Sequence, residues 1–190
     1  MSFFIPLNIL ICLWEISLGL QITYINKETS RLNTVYTNTN GRYQAVIDFF
    51  TRGLSINDIF SSKYWCILWS IYSIYDNSYS NKESFGFFID VGNGWTTIIP
   101  SLLFIIGLTY DIFNPKILGI IGIIQFYQEF YGTIIYFLSF LFNERYKGKT
   151  INELLLFVGF TNGLWMIFPL IGMYISIIMI MDNNYDIVRI

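Results

Sequence analysis

The stretch FTNGLWMIFP, Phe160 to Pro169, sets an amide and an indole three residues apart inside an apolar run reaching from Leu154 to Met181. An asparagine in hydrocarbon is costly unless it finds a hydrogen-bonding partner. The run therefore reads as a membrane helix in which Asn162 either bonds across to a neighbouring helix or lines a site. Interhelical amide bonds are common in membranes, and a single tryptophan more often packs or marks the lipid boundary than binds a ligand.

The rest of the chain agrees with a membrane setting. Its 190 residues are 54% hydrophobic and 13% charged, with a mean hydropathy of +0.53. Phe85 to Ile112 and Ile117 to Phe142 also exceed the roughly 20 residues a helix needs to cross a bilayer. Phe3 to Leu20 is a fourth apolar stretch; no Lys or Arg precedes it and Glu15 lies inside it, which favours an anchor over a cleaved signal peptide. The net charge of −2, with no basic block, gives nucleic acid nothing to bind. Two cysteines cannot build a disulfide framework, and the absence of histidine removes the usual zinc, haem and Ser-His or Cys-His chemistries. Acid and base work would fall to carboxylates, tyrosines or lysines, with no metal and no cofactor expected.

Between the apolar runs, Asn26 to Asn40 (NKETSRLNTVYTNTN) reads as a polar loop. Gly41 to Phe60 mixes Ala45, Val46, Ile47, Phe49, Phe50 and Leu54 with Arg42, Asp48, Arg52 and Asp58, so hydropathy does not mark it as a span. Lys63 to Tyr75 (KYWCILWSIYSIY) is rich in rings favoured where lipid meets water and reads as an interfacial segment. A break at Asn114 and Pro115 separates two spans, and NERYKGKT, Asn143 to Thr150, is a short basic loop. Basic residues fall on both sides of such a layout and leave its orientation open. The expected fold is an all-α integral membrane protein, a bundle of about five transmembrane helices. Residues 1–40 form its anchor and polar loop, 41–181 the membrane domain and 182–190 a short tail.

Three spans carry polar stripes at helical spacing: Asp90, Asn93 and Thr97; Gln125, Gln128, Glu129, Gly132 and Tyr136; Asn162 and Trp165. The simplest packing turns all three toward a common cavity. Each residue also has a plainer explanation. Asp90 lies near a helix start and can snorkel to the interface, and Glu129 can pair with a basic side chain.

Tyr131-Gly132 followed by Tyr136-Phe137, the basic loop, Asn162-Gly163-Leu164-Trp165 and Pro169 together resemble the emopamil-binding protein family, the sterol Δ8-Δ7 isomerases of the EXPERA superfamily. LWSIYSIYDNSY, Leu68 to Tyr79, is similar to an upstream segment of that family. The resemblance covers roughly Gly41 to Met181. It implies that Asp90 stands at a membrane glutamate of the family and Asp48 at its second catalytic glutamate. Gln44 stands where the family has histidine, and Asn93 where relatives carry threonine. On that reading Asp48, Asp90 and Gln44 are the catalytic positions. Asn162 and Trp165 line the sterol pocket, and Asn93, Glu129 and Tyr131 complete the expected substrate-binding set.

The implied reaction moves a ring double bond of a 3β-hydroxy sterol from Δ8 to Δ7, by protonation to a carbocation and loss of a proton. One carboxyl must be protonated and another ionised, with the Trp165 face stabilising the cation. The resemblance also implies an endoplasmic-reticulum, multi-pass membrane location and inhibition by cationic amphiphilic amines. The competing expectation is a catalytically silent relative that binds sterols or amines in the same pocket. Whether the chain forms a homodimer is left open by the sequence.

Overall fold

The computed structural model describes residues 3–189, which are mostly helical, with no strand among them. Helix α1 (Phe4–Leu20) is followed after Gln21 by α2 (Ile22–Val35). Then come α3 (Thr39–Thr51), the short α4 (Ile56–Ile59), α5 (Ser62–Tyr75), α6 (Phe85–Tyr110), α7 (Pro115–Phe142) and α8 (Ile151–Asp182). Two of these, Phe85–Tyr110 and Ile151–Asp182, are long and apolar enough to cross a membrane. A third candidate is the pair Phe4–Leu20 and Ile22–Val35, bent by 86° at their junction. Helix α7, at 28 residues, is long enough by the helical rise, but Gln125, Gln128 and Glu129 dilute its apolar character.

Local chemistry sets the boundaries. The side chain of Asn38 caps α3 by accepting from the Gly41 N–H. Ser55 with Asp58, and Thr150 with Glu153, form reciprocal capping boxes at the starts of α4 and α8. The break at Asn114 and Pro115 falls where the sequence put it, because proline suits the first turn of a helix and not its interior. Asn143 to Thr150 likewise connects α7 to α8. Within α8, Leu154–Phe160 is wound as a π-helix.

One sequence expectation is corrected. Asn26 to Asn40 is not a loop over most of its length, since α2 runs through Val35. Ile25, Thr29 and Leu32 are buried at i, i+4 and i+7, a helical stripe that the many Asn, Thr and Ser residues obscure. The segment Lys63 to Tyr75, expected to be interfacial, also packs into a core. In α5, Cys66, Trp69, Ser70, Ile71, Ser73, Ile74 and Tyr75 are all buried, and the Trp69 ring stacks on Trp14 at 4.3 Å. Gly41 to Phe60 splits into α3 and α4 around Arg52–Ser55, and the 13 residues of α3 fall short of a crossing.

The chain forms two compact units that interleave along the sequence. One takes Met1–Leu13, Gly92–Ile135 and Asn162–Ile190; the other takes Trp14–Val91 and Tyr136–Thr161. The core of the first centres on Phe4, Ile5, Phe104, Leu118, Phe126 and Met179. Small residues let its helices close up. A Cβ on Gly122 would lie 2.2 Å from Ser176 Oγ and 2.5 Å from the Phe104 ring, and one on Gly172 would meet Phe126 at 2.5 Å. The second unit holds two aromatic clusters, one around Trp69, Tyr79, Tyr136 and Phe140, the other around Phe49, Tyr64, Ile74 and Tyr75.

Candidate functional site

In the first unit, four helices bring polar side chains together, two of them from α7. On α1 the inward face runs Phe4, Ile5, Asn8 and Cys12, so Asn8 is fully buried among apolar neighbours. On α6 the face is Thr97, Ser101 and Phe104; on α7 it is Leu118, Gly122, Gln125, Phe126 and Glu129. Both follow the three-and-four spacing of one helical stripe. Helix α8 contributes Trp165, half-buried one turn before Pro169.

The hydrogen bonds join these into one network. Asn8 Nδ2 donates to Glu129 Oε1 at 2.7 Å and to Ser101 Oγ at 3.3 Å. Gln125 Nε2 donates to the same two acceptors, at 2.7 Å to Ser101 Oγ and 3.2 Å to Glu129 Oε1. The indole N–H of Trp165 donates to Asn8 Oδ1 at 3.0 Å, and the Phe4 ring meets the indole edge-on at 6.0 Å. Thr133 Oγ1 donates to the Glu129 carbonyl at 2.9 Å, and Cys12 Sγ lies 3.2 Å from Thr97 Oγ1. Asn8 thereby spends both amide hydrogens and its oxygen, and fixes Trp165 relative to a buried carboxyl.

Of the expected site residues, Glu129 and Trp165 are therefore joined, through a residue that the sequence reading did not single out. Asn8 carried the same signal as Asn162, a lone amide inside an apolar run. Asn93 accepts from the Thr97 hydroxyl, and Asn162 is half-buried; both belong to the same unit. Tyr131 is 52% exposed and stacks on Tyr127 at 5.9 Å. The α7 stripe does not serve one cluster. Gln128 turns to Thr96, while Tyr136 belongs to the second unit, where its hydroxyl donates to Asp76 Oδ2 at 2.7 Å.

The remaining expected residues lie in that second unit. Asp90 is half-buried on α6, with Asp76 and Tyr79 as ionisable neighbours. Asp48 is exposed on α3; Gln44 Nε2 donates to its Oδ1 at 2.7 Å and the Tyr36 hydroxyl to its Oδ2 at 2.8 Å. Those two donors, the Gln44 amide first and the Tyr36 hydroxyl second, hold the Asp48 carboxyl below the usual carboxylate range. The unit also contains two buried ion pairs, Arg42 with Glu153 at 2.5 Å and Arg145 with Asp76 at 3.0 Å. An apolar groove of about 480 Å³ along Phe137, Phe140, Leu141, Leu154 and Val158 contains none of the expected site residues. Among the described residues no three of His, Cys, Asp or Glu gather as a metal site. No family model, curated protein or solved structure matches the chain.

Proposed function

We propose that this chain is a membrane sterol isomerase of the Δ8-to-Δ7 type, acting without a cofactor in the endoplasmic-reticulum membrane. The observation that carries the reading is the Trp165–Asn8–Glu129 assembly. An indole fixed by its N–H and a buried carboxyl share one amide in an apolar environment, which suits a positively charged sterol intermediate. The residue pattern from Tyr131 to Pro169 supports it independently. In this proposal about five helices cross the bilayer, and hydrophobic amines inhibit by imitating the cation.

A specific observation favours a second reading, a sterol- or amine-binding protein without turnover. Both oxygens of Asp48 are already engaged, and Gln44 orients that carboxylate but cannot relay a proton.

Expression in a host lacking its own Δ8-Δ7 isomerase, followed by mass-spectrometric sterol profiling, separates the two. Conversion of accumulated Δ8 sterol, lost in Trp165→Ala at equal protein level, is the expected result. Absence of conversion by folded, membrane-inserted protein leaves the binding reading.

A further inference from the structure

In the Asn8–Glu129 network the amide and indole hydrogens all find acceptors, but not every acceptor finds a donor. Both amide hydrogens of Asn8 and both of Gln125 are spent, as is the indole N–H of Trp165. Two oxygens are left over, Oε2 of Glu129 and Oε1 of Gln125, each buried and without a hydrogen-bond partner. Their side chains stand one helical turn apart on α7, are only 3% and 1% exposed, and meet through Gln125 Nε2 and Glu129 Oε1 at 3.2 Å. Buried acceptors are normally satisfied, so a pair left over in one place asks for a donor from outside the chain.

We propose that these two oxygens form the recognition site for the hydroxyl of a membrane-soluble alcohol, the 3β-hydroxyl end of the sterol; the identification of that alcohol rests on the function proposed above. A hydroxyl fits because it both donates and accepts. It donates to an ionised Glu129, or accepts from a protonated one while donating to Gln125, so either state of the carboxyl is served. A ketone or a methyl ether brings no donor and leaves the acceptors orphaned. Asn8 is the positioning residue: it holds Oε1 of Glu129 and so leaves Oε2 as the oxygen offered to the ligand. Phe104 and Phe126, buried on the same α6 and α7 faces, supply an apolar surround.

Sterol binding to the full-length protein in detergent tests this without requiring turnover. The probes are a radiolabelled 3β-hydroxy Δ8 sterol, its 3-O-methyl ether and its 3-ketone. The proteins are wild type, Glu129→Gln and Gln125→Leu, each checked for cooperative unfolding. Wild type is expected to prefer the alcohol over the ether and the ketone by at least about tenfold, because a site built for a donor rejects analogues lacking it. Glu129→Gln adds N–H donors and is expected to shift preference toward the ketone; Gln125→Leu, which removes the second acceptor, is expected to weaken the alcohol preference. Sterols bound by wild type without discrimination, or a preference unchanged in both variants, overturn the inference and leave the proposed function standing. Failure of folded wild type to bind any of the three removes the proposed function and this inference together.

Discussion

Buried carboxyls appear in both units, and Asp76 and Glu153 of the second are held differently from Glu129 of the first. In the second, Asp76 faces Arg145 at 3.0 Å and receives the Tyr136 hydroxyl and the Ser78 N–H, while Glu153 faces Arg42 and receives the Thr150 N–H and hydroxyl. The guanidinium of Arg145 also lies over the rings of Tyr136 and Phe140 at 5.5 and 5.3 Å. Those carboxylates are fully matched, and their arrangement ties α3, α5 and α7 to the loop and helix that follow. In the first unit, Glu129 meets two amides and keeps one oxygen unspent. A carboxyl already paired with arginine is committed to structure, whereas one held by amides with capacity left over is available for a ligand.

The sharpest way to break this comparison is to remove the cation from the matched site. Arg145→Met keeps most of the apolar stem but strands Asp76, and is expected to cost about 3–5 kcal/mol, as for other buried pairs that lose one partner. Denaturant unfolding in detergent, followed by tryptophan fluorescence, reads this. A loss below about 1 kcal/mol would mean that Asp76 is not held by its arginine, a value typical of exposed pairs.

Glu129→Gln is expected to change stability by less than about 1 kcal/mol in the same assay, since a glutamine oxygen can still accept from Asn8 and Gln125. A loss as large as that of Arg145→Met would make Glu129 a structural carboxyl like Asp76 and erase the distinction between the units.

The smallest effect concerns Asp48, a carboxylate matched only by neutral donors at the surface. Its folded titration lies below the ordinary value near about 3.9. Its contribution to stability is therefore fully present above that ordinary value and fades as the pH falls through the lower, folded one. Gln44→Ala removes the larger cause and is expected to return Asp48 toward the ordinary value, measured by carboxyl NMR titration. An unchanged titration would assign the effect to Tyr36 alone.

What could be read from the sequence follows from what each signal requires. Long apolar runs announce membrane-length helices without knowledge of any partner, so Phe85–Tyr110 and Ile151–Asp182 were legible, as were the break at Pro115 and the basic loop after Phe142. The stripe from Gln125 to Tyr136 was legible as a face, because helical periodicity is local. Its division between two units was not, since Glu129 meets an asparagine 121 residues away while Tyr136 meets an aspartate 60 residues away. Helix α2 was hidden for a related reason: its residues favour loops, and only burial of Ile25, Thr29 and Leu32 overrides that preference. By itself the sequence determined an all-helical chain fit for a membrane, with polar groups inside its apolar helices. Only the tertiary structure decided which of those groups are matched and which retain capacity, because pairing depends on contacts between distant helices that periodicity along one helix does not encode.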